Sequence, residues 1–249
     1  MKVLITGASS GIGKEIANYL NTLGYDLYVV SRNKKRLENL YKNCHGKITI
    51  LEYDLSKEEN CQNLYKTLKK EKIDILVNNA GFGDAGDFIS TNLNKELSMI
   101  DVNIKAYHLL MKLFLKDFTR RGYGRILNVA SMAGFMPGPY MATYYATKSY
   151  ILNLTLAVAE ELKLMNSNVK LSVFCPGPVK TNFNNIASVH FNIKSISSKK
   201  AAKIAIDGMF MNKLIILPNN MKLNYILTKI SPIKITLRLN SLLQERTSK

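Results

Sequence analysis

The sequence predicts an α/β fold: one doubly wound parallel sheet in a single domain, followed by a helical tail. Three observations carry that expectation. Short apolar runs alternate with helical patterns from residue 2 to residue 217, as expected of a parallel sheet covered on both faces. A glycine-rich turn joins the first run to the first helix. The length of 249 residues suits one such domain with a substantial sheet core between its helices.

The elements follow in order. Val3-Leu4-Ile5 sets a strand at 2–6, and the glycine turn after it opens a helix at 12–23. The run ending Val29-Val30 gives a strand at 26–31 and a helix at 34–43; the next apolar run gives 47–52 and a helix at 57–70. Strands at 73–78, 125–130, 169–175 and 213–217 complete a sheet of about seven strands, with helices at 101–121, 144–165 and 198–211 between them. Right-handed crossovers then put a ligand crevice at the carboxyl ends of the strands.

Two stretches break the alternation. Residues 182–197 make a connection of the length at which loops are lids, binding loops or disordered. Residues 219–249 carry Leu223, Ile226, Leu227 and Ile230, then Ile235, Leu237, Leu239, Leu242 and Leu243, at helical spacing among Lys and Arg, with a break at Pro232. A domain over 1–217 and a basic amphipathic helical tail over 218–249 are expected.

The formal charge is +17, from 35 Lys and Arg against 18 Asp and Glu. Such a balance attracts phosphorylated cofactors, anionic lipid or nucleic acid. The lysines are scattered along nearly every segment, as base composition alone would produce, so no nucleic-acid partner is expected. Cys44, Cys61 and Cys175 are an odd, scattered set, which argues against a disulfide framework or a metal site, and His45, His108 and His190 match no metal or relay spacing. Met1-Lys2 runs straight into the first strand, leaving no room for a signal-type leader, and no stretch has the length of a membrane span, so a cytoplasmic protein is expected.

The chemistry concentrates in one spacing. Tyr144 and Lys148 stand four residues apart on an expected helix, so they share a face. A free tyrosine, with a pKa near ~10, is a poor proton donor and a poorer base at neutral pH. A nearby ammonium favours phenolate, so Lys148 is expected to lower the Tyr144 pKa. The adjacent Tyr145 has Ser149 as its i+4 partner, so only Tyr144 can face the lysine. At the other end of the chain, Gly7-x-x-x-Gly11-x-Gly13 follows the first strand and opens the first helix, as a phosphate-binding turn requires. A Walker A reading fails, because Ala8 replaces its first glycine and Glu15 follows Lys14.

The chain resembles the short-chain dehydrogenase/reductase family from residue 1 to about 217. The matching residues are the glycine motif, Asn78-Asn79-Ala80-Gly81, Asn103, Ser131, Tyr144-x-x-x-Lys148 and Pro176-Gly177-Pro178-Val179-Lys180-Thr181. The wording around Met136-Pro137-Gly138-Pro139-Tyr140 looks most like bacterial carbonyl or ketoacyl reductases. The resemblance implies a Rossmann-type fold, a bound nicotinamide dinucleotide and hydride transfer to or from a carbonyl or hydroxyl group. Catalysis would rest on Asn103, Ser131, Tyr144 and Lys148. Tyr144 would pass the proton, Ser131 polarise the substrate oxygen, Lys148 also bind the nicotinamide ribose, and Asn103 hold a water on the proton path. A strand-end cap for Ser131, and a buried amide for Asn103, are the alternatives.

For the cofactor, Gly7, Ser9, Ser10, Gly11, Ile12 and Gly13 would cradle the pyrophosphate. Ser31 stands where an acidic residue would read the ribose of NAD, and Arg32 follows it. A guanidinium can clamp the extra phosphate of NADP, so NADP(H) is expected over NAD(H), with Lys35 or Arg36 as helpers. Against this, Ser10 stands where NADP-using relatives often carry a basic residue. Asp54 and Leu55 resemble the adenine-contacting pair, though Asp54 would also cap a helix starting near Ser56. Asn79, Ala80 and Gly81 would pack on the adenine ribose, and Pro176, Gly177, Val179 and Thr181 would turn beneath the nicotinamide.

Phe82, Met132, Phe135, Met136, Tyr140 and Met141 flank the expected reacting centre, with Phe183, Ile186, Val189 and Phe191 in the possible lid. They point to an apolar pocket and a lipophilic carbonyl or alcohol substrate. The family habit of pairing through the helices at 101–121 and 144–165 implies a homodimer or homotetramer. Two rival readings stand beside the enzyme: a non-catalytic NADP(H) sensor or scaffold, and a membrane-surface protein held by its basic tail.

Overall fold

The computed structural model describes residues 1–42, 44, 46–183, 187 and 195–245. Among them, seven strands form one parallel sheet: β1 Lys2–Thr6, β2 Asp26–Ser31, β3 Ile48–Glu52, β4 Ile75–Asn78, β5 Arg125–Val129, β6 Lys170–Phe174 and β9 Ile215–Ile216. Their order is β3-β2-β1-β4-β5-β6-β9. The chain winds outward from β1 in one direction and then from β4 in the other, and the reversal opens the crevice between them. A separate parallel pair joins β7 Val179–Lys180 to β8 Ile196–Ser197.

Alternation along each strand builds two cores. Val3, Ile5, Val29, Ile75, Val77 and Leu127 face one side, packed with α1 Gly11–Thr22, α2 Lys34–Tyr41 and α7 Ser198–Phe210. Leu4, Val30, Leu76 and Ile126 face the other, under α3 Glu58–Leu68, α5 Tyr107–Arg121 and α6 Ala142–Leu164. Because both faces are covered, the strands read as continuous apolar runs in the sequence. Phe118 on α5 is fully buried, and a Cβ on Gly124 would lie 2.3 Å from its ring. The turn into β5 therefore needs glycine there.

The expected elements are present with ends shifted by at most two residues, apart from the start of the helix expected at 101–121. One helix was not expected: α4 Leu93–Ile100, capped by Asn92, whose Oδ1 accepts from Lys95 N at 3.1 Å. The helix expected at 101–121 begins instead as a π turn, Asp101–Ala106, that continues α4 into α5. The helix expected from 57 starts at Glu58 and closes in a 3-10 turn, Lys69–Glu71.

The tail is two helices, α8 Lys222–Ile230 and α9 Ile233–Glu245, parted at Ser231 and Pro232. Proline lacks the N–H and the room to continue α8. Tyr225 packs on Phe135 with ring centroids 4.8 Å apart, and Asn240 Nδ2 donates to Pro137 O at 3.0 Å. Most of the connection expected at 182–197, with Ile186, Val189, His190 and Phe191, lies outside the described residues, as does His45.

Candidate active site

A cavity of about 810 Å³ opens at the carboxyl ends of the central strands. At one end the backbone shapes it. Gly7 and Gly11 have φ of 67° and 55°, a region that side chains rarely adopt. A Cβ on Gly7 would lie 2.7 Å from Ala80 Cα, and one on Gly13 would lie 2.3 Å from Asn79 Nδ2 and 2.5 Å from Gly7 O. Asn79 ties the turn down: its Nδ2 donates to Thr6 O and Gly7 O at 3.0 and 3.3 Å. Thr6 Oγ1 accepts from the backbone N–H of Asn79 and Ala80 at 2.9 and 3.1 Å. Among the described residues, Ser10 makes no side-chain bond into α1, so the donors every helix start carries remain open toward the cavity.

Ser9, Ser10, Gly11, Ile12, Ser31, Arg32, Asp54, Leu55, Asn79, Ala80, Gly81, Pro176, Gly177, Val179 and Thr181 all line this cavity, with Gly7. Gly13 sits behind the lining, where its lack of a side chain lets Asn79 approach. Arg36 reaches the wall and Lys35 is not part of it. Asn33 shapes the corner: its Oδ1 accepts from Arg36 N at 2.8 Å, and its own N–H donates to Ser31 Oγ at 3.0 Å. Asp54 Oδ1 accepts from Ser56 N and Ser56 Oγ at 3.1 and 2.9 Å. It caps a turn ahead of α3, not the helix itself, and still faces the cavity.

At the other end side chains do the shaping. Ser131, Tyr144 and Lys148 line one wall together. Ser131 follows β5 and caps the 3-10 turn Met132–Phe135, its Oγ accepting from Ala133 N at 3.1 Å. The cap expected as an alternative is thus real, and the hydroxyl still reaches the cavity. Tyr144 lies against Phe183, their rings tilted with centroids 5.2 Å apart. Tyr145 also lines the cavity, its ring packed on Gly138, where an added Cβ would lie 2.5 Å away. Lys148 is buried, its Nζ donating to Val129 O at 3.0 Å and standing 5.8 Å from the Tyr144 ring centroid.

The electrostatics correct one expectation. Lys148 does not lower the Tyr144 phenol here. Burial pushes that phenol above its ordinary value, a Ser131 hydrogen bond works the other way, and Tyr145 adds to the rise. The lysine is itself buried, its pKa pushed down to about 8 with Cys175 opposing, and one of its three N–H donors goes to Val129 O. Burial outweighs the attraction that i+4 spacing suggests. Beneath it, the Cys175 thiol is pushed up to about 12 by burial, so it stays neutral.

Asn103 makes the contacts of a buried amide. It lies in the π turn, fully buried behind the cavity wall. Its Oδ1 accepts from Phe82 N at 3.1 Å, and its Nδ2 donates to Phe82 O at 2.9 Å and Thr147 Oγ1 at 3.1 Å. The amide clamps the loop that carries Phe82. Among the expected substrate residues, Phe82, Met132, Met136, Met141 and Phe183 line the cavity, whereas Phe135 packs on Tyr225 and Tyr140 borders a smaller hollow. Sequence reasoning missed Asn33, Tyr53, Met221, Asn224 and Asn240, all of which line the cavity. Asn33 carried a signal as a helix cap; the last three come from the tail, whose docking no local pattern announces. Among the described residues, no three His, Cys, Asp or Glu side chains gather as a metal site.

Comparison with known proteins matches residues 1–190 to the short chain dehydrogenase family model. A 3-oxoacyl-(acyl-carrier-protein) reductase of Rickettsia conorii is 33% identical over 181 residues, covering 72% of this chain and 73% of that protein. A short-chain dehydrogenase from Sphingobium yanoikuyae, solved in complex with NADPH, superposes with a TM-score of 0.82 at 27% identity, over 90% of this chain and 91% of that one. A bulky-bulky ketone specific alcohol dehydrogenase from Comamonas testosteroni gives 0.77 at 27% identity, over 88% and 86%.

Proposed function

The chain belongs to the short-chain dehydrogenase/reductase family and is an oxidoreductase; we propose that it reduces the carbonyl of a lipophilic compound with NADPH, Tyr144 giving the proton. The observation that carries the proposal is the convergence of Ser131, Tyr144 and Lys148 on one wall of a cavity whose far end is a glycine cradle. That cradle fits a dinucleotide: an added Cβ would fill it, open helix N–H groups face it, and Arg32 and Arg36 stand at its edge. Residues 9–13 with Gly7 would hold the pyrophosphate. Ser31, Arg32 and Arg36 would hold the 2′-phosphate, and Asp54, Leu55 and residues 79–81 the adenosine. Pro176, Gly177, Val179 and Thr181 would hold the nicotinamide, which when bound supplies hydride.

Burial keeps the phenol protonated at neutral pH, so its proton is present for reduction, but it also makes the phenol a weaker acid whose phenolate has to be stabilised as the proton leaves. Ser131 Oγ holds and polarises the carbonyl oxygen. Tyr144 gives that oxygen its proton, and the charge left on the phenolate is offset by the Lys148 ammonium, mostly protonated at neutral pH with a pKa of about 8. Asn103 positions Phe82 over the site. Lining by Phe82, Met132, Met136, Met141 and Phe183 supports an apolar substrate. So does likeness to proteins named for 3-oxoacyl groups and bulky ketones.

On family grounds the enzyme is a homodimer or homotetramer paired through the outer faces of α5 and α6. Its free thiols, Cys44, Cys61 and Cys175, suit the reducing cytoplasm. A non-catalytic sensor would leave Ser131, Tyr144 and Lys148 converged without a use. The test is purified protein with NADPH against ketones, aldehydes and β-ketoacyl thioesters. Consumption of NADPH with a lipophilic member of the panel is expected. Tight NADPH binding with indifference to every member would favour the sensor.

A further inference from the structure

The two tail helices are amphipathic the wrong way round for a packing element. What they turn toward the protein is aromatic and uncharged polar: Asn240 bonds to Pro137 O and Tyr225 packs on Phe135, with the exposed Lys229 over both rings. Their aliphatic side faces outward. Leu223, Ile226 and Ile230 on α8, and Ile235, Leu239 and Leu242 on α9, each expose more than half of their surface. Soluble proteins rarely leave so many large aliphatic side chains uncovered on two successive short helices.

Charge selects what covers it. Lys222, Lys234 and Arg238 are exposed on the same two helices, and Glu245 is the one acidic residue in 219–249. A second copy would set these cations against their own kind, and the whole chain carries +17. Aliphatic residues flanked by cations suit the interface of a bilayer with anionic headgroups. Among the described residues no helix is long and apolar enough to cross a membrane, so α8 and α9 would lie in the surface plane.

Position supplies the consequence. Met221, at the entry to α8, and Asn224 and Asn240, from α8 and α9, line the same cavity as Ser131 and Tyr144. The outward patch therefore sits at the rim of the catalytic cavity. We propose that α8 and α9 dock the protein on an anionic phospholipid bilayer with the cavity mouth at the lipid surface, so that lipophilic substrate enters from the membrane. The docking stands independently of the catalytic reading; the substrate route rests on it.

The test is cosedimentation of the full chain, loaded with NADPH, with phosphatidylglycerol/phosphatidylcholine vesicles and with phosphatidylcholine vesicles. Binding to the anionic vesicles is expected, weakened by salt. Each surface cation strengthens such binding about fivefold, so Lys222→Gln with Lys234→Gln and Arg238→Gln should weaken it roughly a hundredfold. A variant with Ile226→Ser, Ile230→Ser, Leu239→Ser and Leu242→Ser keeps every charge and should also lose binding, with melting temperature and NADPH affinity unchanged. It should lose turnover of a long-chain ketone dissolved in vesicles and keep its rate with a short water-soluble one. No sedimentation of the parent protein would overturn the proposal. So would undiminished binding by the serine variant, or a parent dimer that the serine changes split without any vesicle binding. Vesicle binding without turnover of either ketone would leave the docking intact and overturn the catalytic reading.

Discussion

The two ends of the cavity are held by different parts of the chain. At the glycine end the peptide backbone makes the wall, with Gly7, Gly11 and Gly13 pressed against residues 79–80 and Thr181. At the other end Ser131, Tyr144 and Lys148 make it, and burial is the largest influence on the protonation of the last two. The contrast teaches where each end is fragile. One added methyl should break the first, because backbone cannot move aside; the second should keep its shape through a lost hydroxyl and fail only in chemistry.

The sharpest way to test that contrast is at the phenol. Tyr144→Phe should cut kcat by about 10²–10⁴ while leaving Kd for NADPH unchanged, measured by single-turnover rates and fluorescence titration. Tyr145→Phe, against Gly138, should change neither kcat nor Kd. At the opposite end Gly13→Ala should lower stability by about 1–3 kcal/mol in urea unfolding, because the new Cβ has no room. It should also weaken NADPH binding, and a mutant that unfolds and binds like the parent would erase the distinction between the ends. Arg32→Asp removes one charge-assisted contact worth about 1.5–3 kcal/mol, so preference for NADPH over NADH should fall by roughly 10- to 100-fold. Equal discrimination by the two proteins would remove Arg32 from the phosphate. The smallest effect is in the pH profile. Lys148 is charged below about 8 and neutral above it, so the reduction rate should be level at lower pH and decline as pH rises through that value. A flat profile to pH 9 and beyond would detach the lysine from the proton step.

The same contrast explains what could be read from the chain alone. Glycine spacing after an apolar run states a backbone requirement, so the turn was legible, whereas the fit of Asn79 against Gly13 came only with the fold. The sheet was legible because strands covered on both faces are apolar throughout. Side-chain positions at the catalytic end were legible as spacing, since an i, i+4 pair must share a face. Their charges were not. Whether Lys148 lowers Tyr144 or is itself depressed depends on burial and on Val129 O, which belongs to a strand nineteen residues earlier. Helix α4 was missed although Asn92 caps it, because the π turn merges it with α5 and hides the boundary. The tail was legible as amphipathic helices, yet not its orientation: Asn224 and Asn240 look like ordinary polar positions until the fold brings them to the cavity rim.

The central claim is that burial keeps the Tyr144 phenol protonated at neutral pH, beside a buried lysine that would offset the charge once its proton is given up. The most direct measurement is the titration of that phenol by NMR of isotope-labelled tyrosine ring carbons, with its signal assigned as the one missing in Tyr144→Phe. The account predicts that the resonance stays at the neutral-phenol position from pH 6 through pH 9, well past the point where Lys148 loses its proton. A phenolate signal already present near neutral pH would contradict it.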